Sequence, residues 1–376
     1  MLQVFSGLVV DSIVFKGASI TRRTFASQLK LVRTTPRKHT DARCALTALK
    51  KMQKEAKSDA AILQFAEKTG EFKRKPSSFR NWVTADGSSG FKAESGRYHL
   101  YVSYACPWAH RTLIGRKLKG LEDAISFDVV DYYMGEKGWR FNPDVPGATP
   151  DSVNGFSYMR ELYFKMNPEY GGRFTVPVLY DKVQKTIVNN ESSEILRMLN
   201  AEFNAFCKSP EQAAIDLYPE PLRAEVDALN EWIYPSINNG VYRAGFATKQ
   251  EPYDVAVREL FAALDRVEAI LAGKRYLAGD QLTEADVRLY TTLVRFDKVY
   301  VGHFKCNKKR VIDYPNIWGY MRDLYQTPGF GETTNFLHIE HHYQGSHTSI
   351  NPHGIVAIGP DIDFTTPHDR DTRFSS

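Results

Sequence analysis

The sequence predicts an α/β half followed by an all-α half, and three observations carry that division. Between residues 99 and 130 an apolar run, a Cys-Pro pair opening a helix and a second apolar run follow one another, the order of a strand–helix–strand unit. Two further short strands, over 173–181 and 186–189, precede a helix start at Glu191. From Glu211 to Leu337 apolar residues recur at helical spacing. With 376 residues, 43% of them hydrophobic and 12% aromatic, the chain has core enough for two domains and is not broadly disordered.

Residues 1–54 hold eleven Lys/Arg against two acids, Asp11 and Asp41, with an amphipathic scatter of Val14, Phe15, Ile20, Phe25 and Leu29. This composition matches a transit peptide, for the mitochondrion ahead of the plastid. A solvated tail on a cytoplasmic protein is the alternative. The rest of the chain has a slight acidic excess, so the net charge of +5 belongs to the leader and no nucleic-acid surface is indicated. No apolar run is long enough to span a membrane. Cys44, Cys106, Cys207 and Cys306 lie far apart, which suits a reducing compartment better than a disulfide framework.

Residues 55–97 carry aromatic anchors (Phe72, Phe79, Trp82) with weak periodicity and read as a strap over the body. The α/β domain covers 98–205: a strand over 99–102, a helix from Pro107 to Gly120, and a strand over 125–130. Residues 132–172 are an insertion with little regular pattern but many aromatics, including Trp139, Tyr158, Tyr163 and Tyr170. So aromatic a loop is either a pocket wall or a satellite cluster beneath the surface. Pro177 interrupts the next strand, and a cis Val176–Pro177 bond would leave the Val176 backbone free to pair with an extended peptide. The helical domain covers 211–340. Val257, Leu260, Phe261, Leu264, Val267 and Leu271 trace a stripe ending at Gly273, Thr283 and Asp286 form a capping box, and 316–325 is another helix. The tail, 341–376, lacks periodicity and is expected to wrap the surface.

Cys106 stands where the first helix begins, with proline at the first helical position. Unpaired amide N–H groups and the positive end of the helix dipole then point at its sulfur, favouring the nucleophilic thiolate over a buried structural thiol. Arg111, one turn on, adds positive charge. Thiol–disulfide oxidoreductases of the thioredoxin type carry C-x-x-C, whose second thiol resolves the mixed disulfide. Here Ala109 holds that position, so an outside thiol must finish the turnover, which points to glutathione. The helix start at Glu191-Ser192-Ser193-Glu194 fits that ligand: free N–H groups and a serine hold a carboxylate, and Glu191 holds an ammonium, the two charges of a γ-glutamyl end. Many helices start this way; after a strand–Pro–strand the signal is stronger.

The combination of Cys106-Pro-Trp-Ala-His-Arg111, Val176-Pro177, Glu191-Ser-Ser-Glu194 and the Thr283/Asp286 box resembles a glutathione transferase with a catalytic cysteine. Gly138-Trp-Arg140 in the insertion, and the tail His342-Tyr343 with Ser346-His347 and Ile350-Asn-Pro352, resemble the xi class, the S-glutathionyl-hydroquinone reductases. The resemblance runs from about Gly70 to Gly359. It implies a thioredoxin-like N-terminal domain followed by an all-helical C-terminal domain, and a homodimer. It also implies glutathione-dependent reduction of glutathionyl-hydroquinones through a mixed disulfide on Cys106. Trp139, Arg173, Val176, Glu191 and Ser192 would bind glutathione, and Tyr242 and Tyr343 would meet the hydroquinone, unless the tyrosines merely pack in the core. The family tail has two tyrosines after its histidine, whereas Gln344 follows Tyr343 here. His338, His341, His342 and His347 are irregularly spaced, and no metal is expected. The rival readings are an omega-like thioltransferase or dehydroascorbate reductase, and a non-catalytic scaffold of the same fold.

Overall fold

The computed structural model describes residue 67 and residues 69–375; the leader over 1–54 lies outside them. Among the described residues a four-stranded sheet forms from β1 (Tyr98–Val102), β2 (Ser126–Val129), β5 (Val178–Asp181) and β6 (Thr186–Asn189), in the order β2-β1-β5-β6. Helix α1 (Pro107–Leu118) is the crossover that returns β2 parallel to β1, while β5 and β6 run antiparallel. Every residue of β1 is buried, the condition of a central strand covered on both faces. The strap joins the sheet edge: Asn81 donates to the Val188 carbonyl at 3.0 Å and Asn190 to the Phe79 carbonyl at 3.0 Å.

Helix α3 (Ser192–Ala201) follows β6 and packs against α1. Gly115 makes that crossing close, since a Cβ there would sit 2.5 Å from Leu196 Cδ1. Beyond it come α4 (Pro210–Ala214), α5 (Arg223–Ile233), α6 (Gly240–Gly245), α7 (Gln250–Gly273), α8 (Glu284–Leu293) and α9 (Pro315–Gln326). The stripe ending at Gly273 and the helix expected over 316–325 are both present. At the head of α8, Asp286 accepts from the Thr283 amide at 2.9 Å and hydroxyl at 3.0 Å, and also from Tyr320 at 2.8 Å. Helix α8 packs on α1, and Ile114, Leu118 and Leu196 join the bundle's apolar core.

Two expectations need correcting. The insertion over 132–172 is not without regular structure: β3 (Met134–Gly135) and β4 (Gly138–Trp139) form a hairpin, and α2 (Met159–Met166) follows. Glu161 starts that helix by accepting from the amides of Tyr158 and Ser157, at 2.9 and 3.2 Å. The tail does not simply wrap the surface either. Helix α10 (Phe336–Ser346) crosses the expected boundary at 340/341 and buries His338, Ile339, His342, Tyr343 and Ser346. Farther on, a one-turn helix, α11 (Arg370–Arg373), sinks Arg370 onto the carbonyls of Leu271, Lys274 and Arg275. No described helix is long and apolar enough to cross a membrane.

Candidate active site

The loop after β1 aims Cys106 at the head of α1. Cys106 is the N-cap residue, its backbone extended (φ −76°, ψ 119°), with Pro107 first in the helix. The half-buried Sγ accepts from the Ala109 amide at 3.5 Å and donates to the Val176 carbonyl at 3.4 Å. The Val176–Pro177 bond is cis, and the strand ladder begins only at Val178, opposite Tyr101. Val176 thus lies beside the thiol and outside the sheet pairing.

The folded site opposes the expected thiolate. Burial pushes the Cys106 thiol above its ordinary range; the Ala109 amide, the Arg295 guanidinium, the Trp108 amide and the Arg74 guanidinium pull the other way without prevailing. Arg111, expected to charge the site, is buried and turns toward Ser192, donating to its Oγ at 3.3 Å. The principal cations on the sulfur come instead from elsewhere: Arg295, at the end of α8, and Arg74, in the strap.

A cavity of about 1020 Å³ opens beside the thiol, and all eight residues singled out in the sequence line it: Cys106, Trp139, Arg173, Val176, Glu191, Ser192, Tyr242 and Tyr343. Glu191 caps α3; its carboxylate accepts from Ser193 Oγ at 3.1 Å and from Ser77 of the strap at 2.9 Å. Trp139, on β4, stacks on the His342 ring at 4.7 Å. Arg173 is half-buried, its guanidinium 5.9 Å from the Phe72 ring. Opposite them, the Tyr242 and Tyr343 hydroxyls are hydrogen-bonded to each other, and Tyr343 also meets the Tyr300 hydroxyl at 2.9 Å. Burial holds all three phenols well above their usual range, so they remain protonated at neutral pH.

Residues missed in the sequence also shape the cavity. Arg74 lies 3.7 Å over the Trp108 ring and 5.3 Å from the Tyr242 ring. In the sequence it sits in a Lys-Arg-Lys run of the strap that carries no catalytic signal. His342 and His347, named in the sequence only for the tail motif and against a metal site, line the wall as well. His342 Nδ1 bonds the Tyr132 carbonyl at 2.8 Å, and burial pushes its pKa down to about 4. The ring is therefore neutral, with the proton on Nδ1 and Nε2 left as an acceptor. Arg295, two residues beyond α8, could have been found as an arginine flanked by the apolar Val294 and Phe296. Among the described residues no group of three or more His, Cys, Asp or Glu side chains is placed to hold a metal.

The arrangement suits thiol exchange: one cysteine, no second thiol at position 109, a backbone segment at Val176 outside the strand ladder, and a carboxylate and paired phenols in the same lining. The comparisons agree. Residues 105–202 match the family model "Glutathione S-transferase, N-terminal domain" and residues 242–323 match "Glutathione S-transferase, C-terminal domain". The chain is 57% identical over 311 residues to glutathionyl-hydroquinone reductase YqjG of Escherichia coli, covering 81% of this chain and 94% of that one. The glutathione-bound structure of YqjG superposes with a TM-score of 0.76, covering 79% and 97% of the two chains. The glutathione S-transferase omega-like 2 of Schizosaccharomyces pombe is 51% identical, over 81% of this chain and 97% of its own. The xi glutathione-S-transferase of Phanerochaete chrysosporium is 56% identical, covers 81% and 97% of the two chains, and has a TM-score of 0.78.

Proposed function

Starting from the premise that the chain belongs to the glutathione transferase family, as a xi-class member, we propose that it reduces glutathionyl-hydroquinones with glutathione. The observation that carries this reading is a lone thiol, Cys106, between a peptide-pairing edge at Val176 and the paired phenols of Tyr242 and Tyr343.

In this reading the γ-glutamyl end lies against Glu191 and Ser192, Val176 pairs with the peptide backbone, and Trp139 and Arg173 hold the body of the tripeptide. The aryl ring faces Tyr242 and Tyr343. The Cys106 thiolate attacks the substrate sulfur; an S–S bond forms, the aryl C–S bond breaks, and the aryl carbon takes a proton. A phenol that hydrogen-bonds the ring oxygen helps deliver that proton. The products are the hydroquinone, two electrons more reduced, and a Cys106–glutathione disulfide. A second glutathione, as thiolate, attacks that disulfide, releasing oxidised glutathione and the Cys106 thiolate.

Thioltransferase or dehydroascorbate reductase activity is the second reading, favoured by the 51% identity to a relative named as omega-like. Parallel assays with a glutathionyl-menadiol and with dehydroascorbate test the choice: turnover of the first is expected, and turnover of dehydroascorbate alone would overturn it. By composition, residues 1–54 are proposed to direct the chain to the mitochondrion, and a homodimer is proposed on the family resemblance.

A further inference from the structure

We infer that docking of the glutathionyl group itself releases the proton of Cys106, by engaging the Val176 carbonyl on which that proton rests. The inference deepens the proposed function and rests on its placement of the tripeptide backbone along Val176.

In the free protein Cys106 Sγ has one polar contact on each side: it accepts from the Ala109 amide at 3.5 Å and donates to the Val176 carbonyl at 3.4 Å. Only the protonated sulfur can use both. A thiolate at the same place would face the negative end of the carbonyl dipole, so this contact adds to burial, the largest cause of the raised thiol, in favouring the neutral form. A peptide strand pairing with Val176 directs an amide N–H at that same oxygen. An amide is a stronger donor than a thiol. Even if both share the oxygen's two lone pairs, the amide offsets the partial charge that opposed the thiolate.

Burial still opposes the anion, and the polar groups that remain around the sulfur favour it. Arg295 faces it from the end of α8 and Arg74 from the strap, Arg111 follows on its own helix, and the protonated Tyr242 lies on α6. The proton leaves to water through the open cavity. The consequence is a nucleophile that stays a thiol, and so resists oxidation, until a tripeptide is seated beside it.

Two probes test this on the full chain. The first is γ-glutamyl-2-aminobutyryl-glycine, which has the glutathione backbone and no sulfur; the second is its analogue N-methylated at the central amide. Thiolate absorbance at 240 nm, titrated with pH and corrected with Cys106→Ser, reports ionisation, and calorimetry reports binding. The first probe at saturation is expected to lower the midpoint by about one pH unit or more, and the N-methylated probe to leave it near the free value. An unchanged midpoint with the first probe bound, or equal shifts with both bound, would overturn the inference. Failure of the first probe to bind would overturn the placement beneath it as well.

Discussion

Arg295 Nε donates to the Ala105 carbonyl at 3.0 Å, the peptide immediately before Cys106. The same guanidinium reaches the Tyr104 carbonyl at 3.0 Å and the Thr291 carbonyl at 2.6 Å, and it contacts His110 Nδ1 at 3.1 Å. A fully buried cation from the helical half thus ties down the loop that presents the nucleophile.

Replacing Arg295 with Met would leave two loop carbonyls unpaired and remove a positive charge near the sulfur. Stability is expected to fall by about 3 kcal/mol in urea denaturation, and kcat/KM by about 10- to 100-fold. Arg295→Lys should recover part of the stability, because an ammonium serves one carbonyl but not the fork. Wild-type values in Arg295→Met would contradict the assigned role.

The Tyr242–Tyr343–Tyr300 chain of hydroxyls yields a second prediction. Tyr343→Phe removes the middle member and strands two buried phenols, at a cost of about 1–3 kcal/mol. Hydroquinone release should slow about 100-fold if the phenol assists proton delivery. Glutathione binding, measured by calorimetry, should stay close to wild type. A variant that loses stability alone would reduce Tyr343 to a packing residue.

How much of this was legible in the sequence depended on whether the deciding contacts were local. Cys-Pro at a helix start and the Thr283/Asp286 box encode neighbours a few residues away, and these readings match the structure in placement; the strand expected over 173–181 begins only at Val178, so Pro177 precedes it rather than interrupting it. Helix α10 was missed because the residues it buries are chiefly polar: His338, His342 and Ser346 sit at helical spacing but carry no hydrophobic signal. Their burial becomes acceptable only through distant partners, the carbonyls of Pro146 at 2.7 Å and Tyr132 at 2.8 Å. Helix α2 did carry a usable stripe in Met159, Leu162, Tyr163 and Met166, obscured by surrounding aromatics. The protonation of Cys106 was misjudged for a similar reason. The helix start that favours a thiolate is local, whereas the burial that raises the thiol comes from packing by distant parts of the chain.

The buried histidines make stability pH-dependent. Burial pushes both His342 and His303 down to about 4, below the ordinary value near 6.5 of the unfolded chain. The unfolded chain therefore binds more protons between those limits. The stabilisation is complete above about pH 6.5 and is lost as pH falls toward 4. Urea denaturation at pH 5.5 should show a loss of about 1 kcal/mol per histidine relative to pH 7.5. His342→Phe should flatten that dependence; an unaltered slope would contradict it.

Because burial raises the free thiol, alkylation of Cys106 by iodoacetamide in the unliganded protein should be slow at pH 7 and accelerate as pH rises past the ordinary thiol range. Rates already at a plateau by pH 7 would show a resting thiolate instead. Peptide mapping separates Cys106 from the half-buried Cys207 and the buried Cys306.

The most direct test of the central claim is intact-mass and peptide mass spectrometry after mixing the protein with a glutathionyl-hydroquinone in the absence of free glutathione. One glutathione on Cys106, with an equivalent of hydroquinone released and the adduct lost when glutathione is added, is the predicted result. Hydroquinone release without that adduct, or an adduct on another cysteine, would contradict the account.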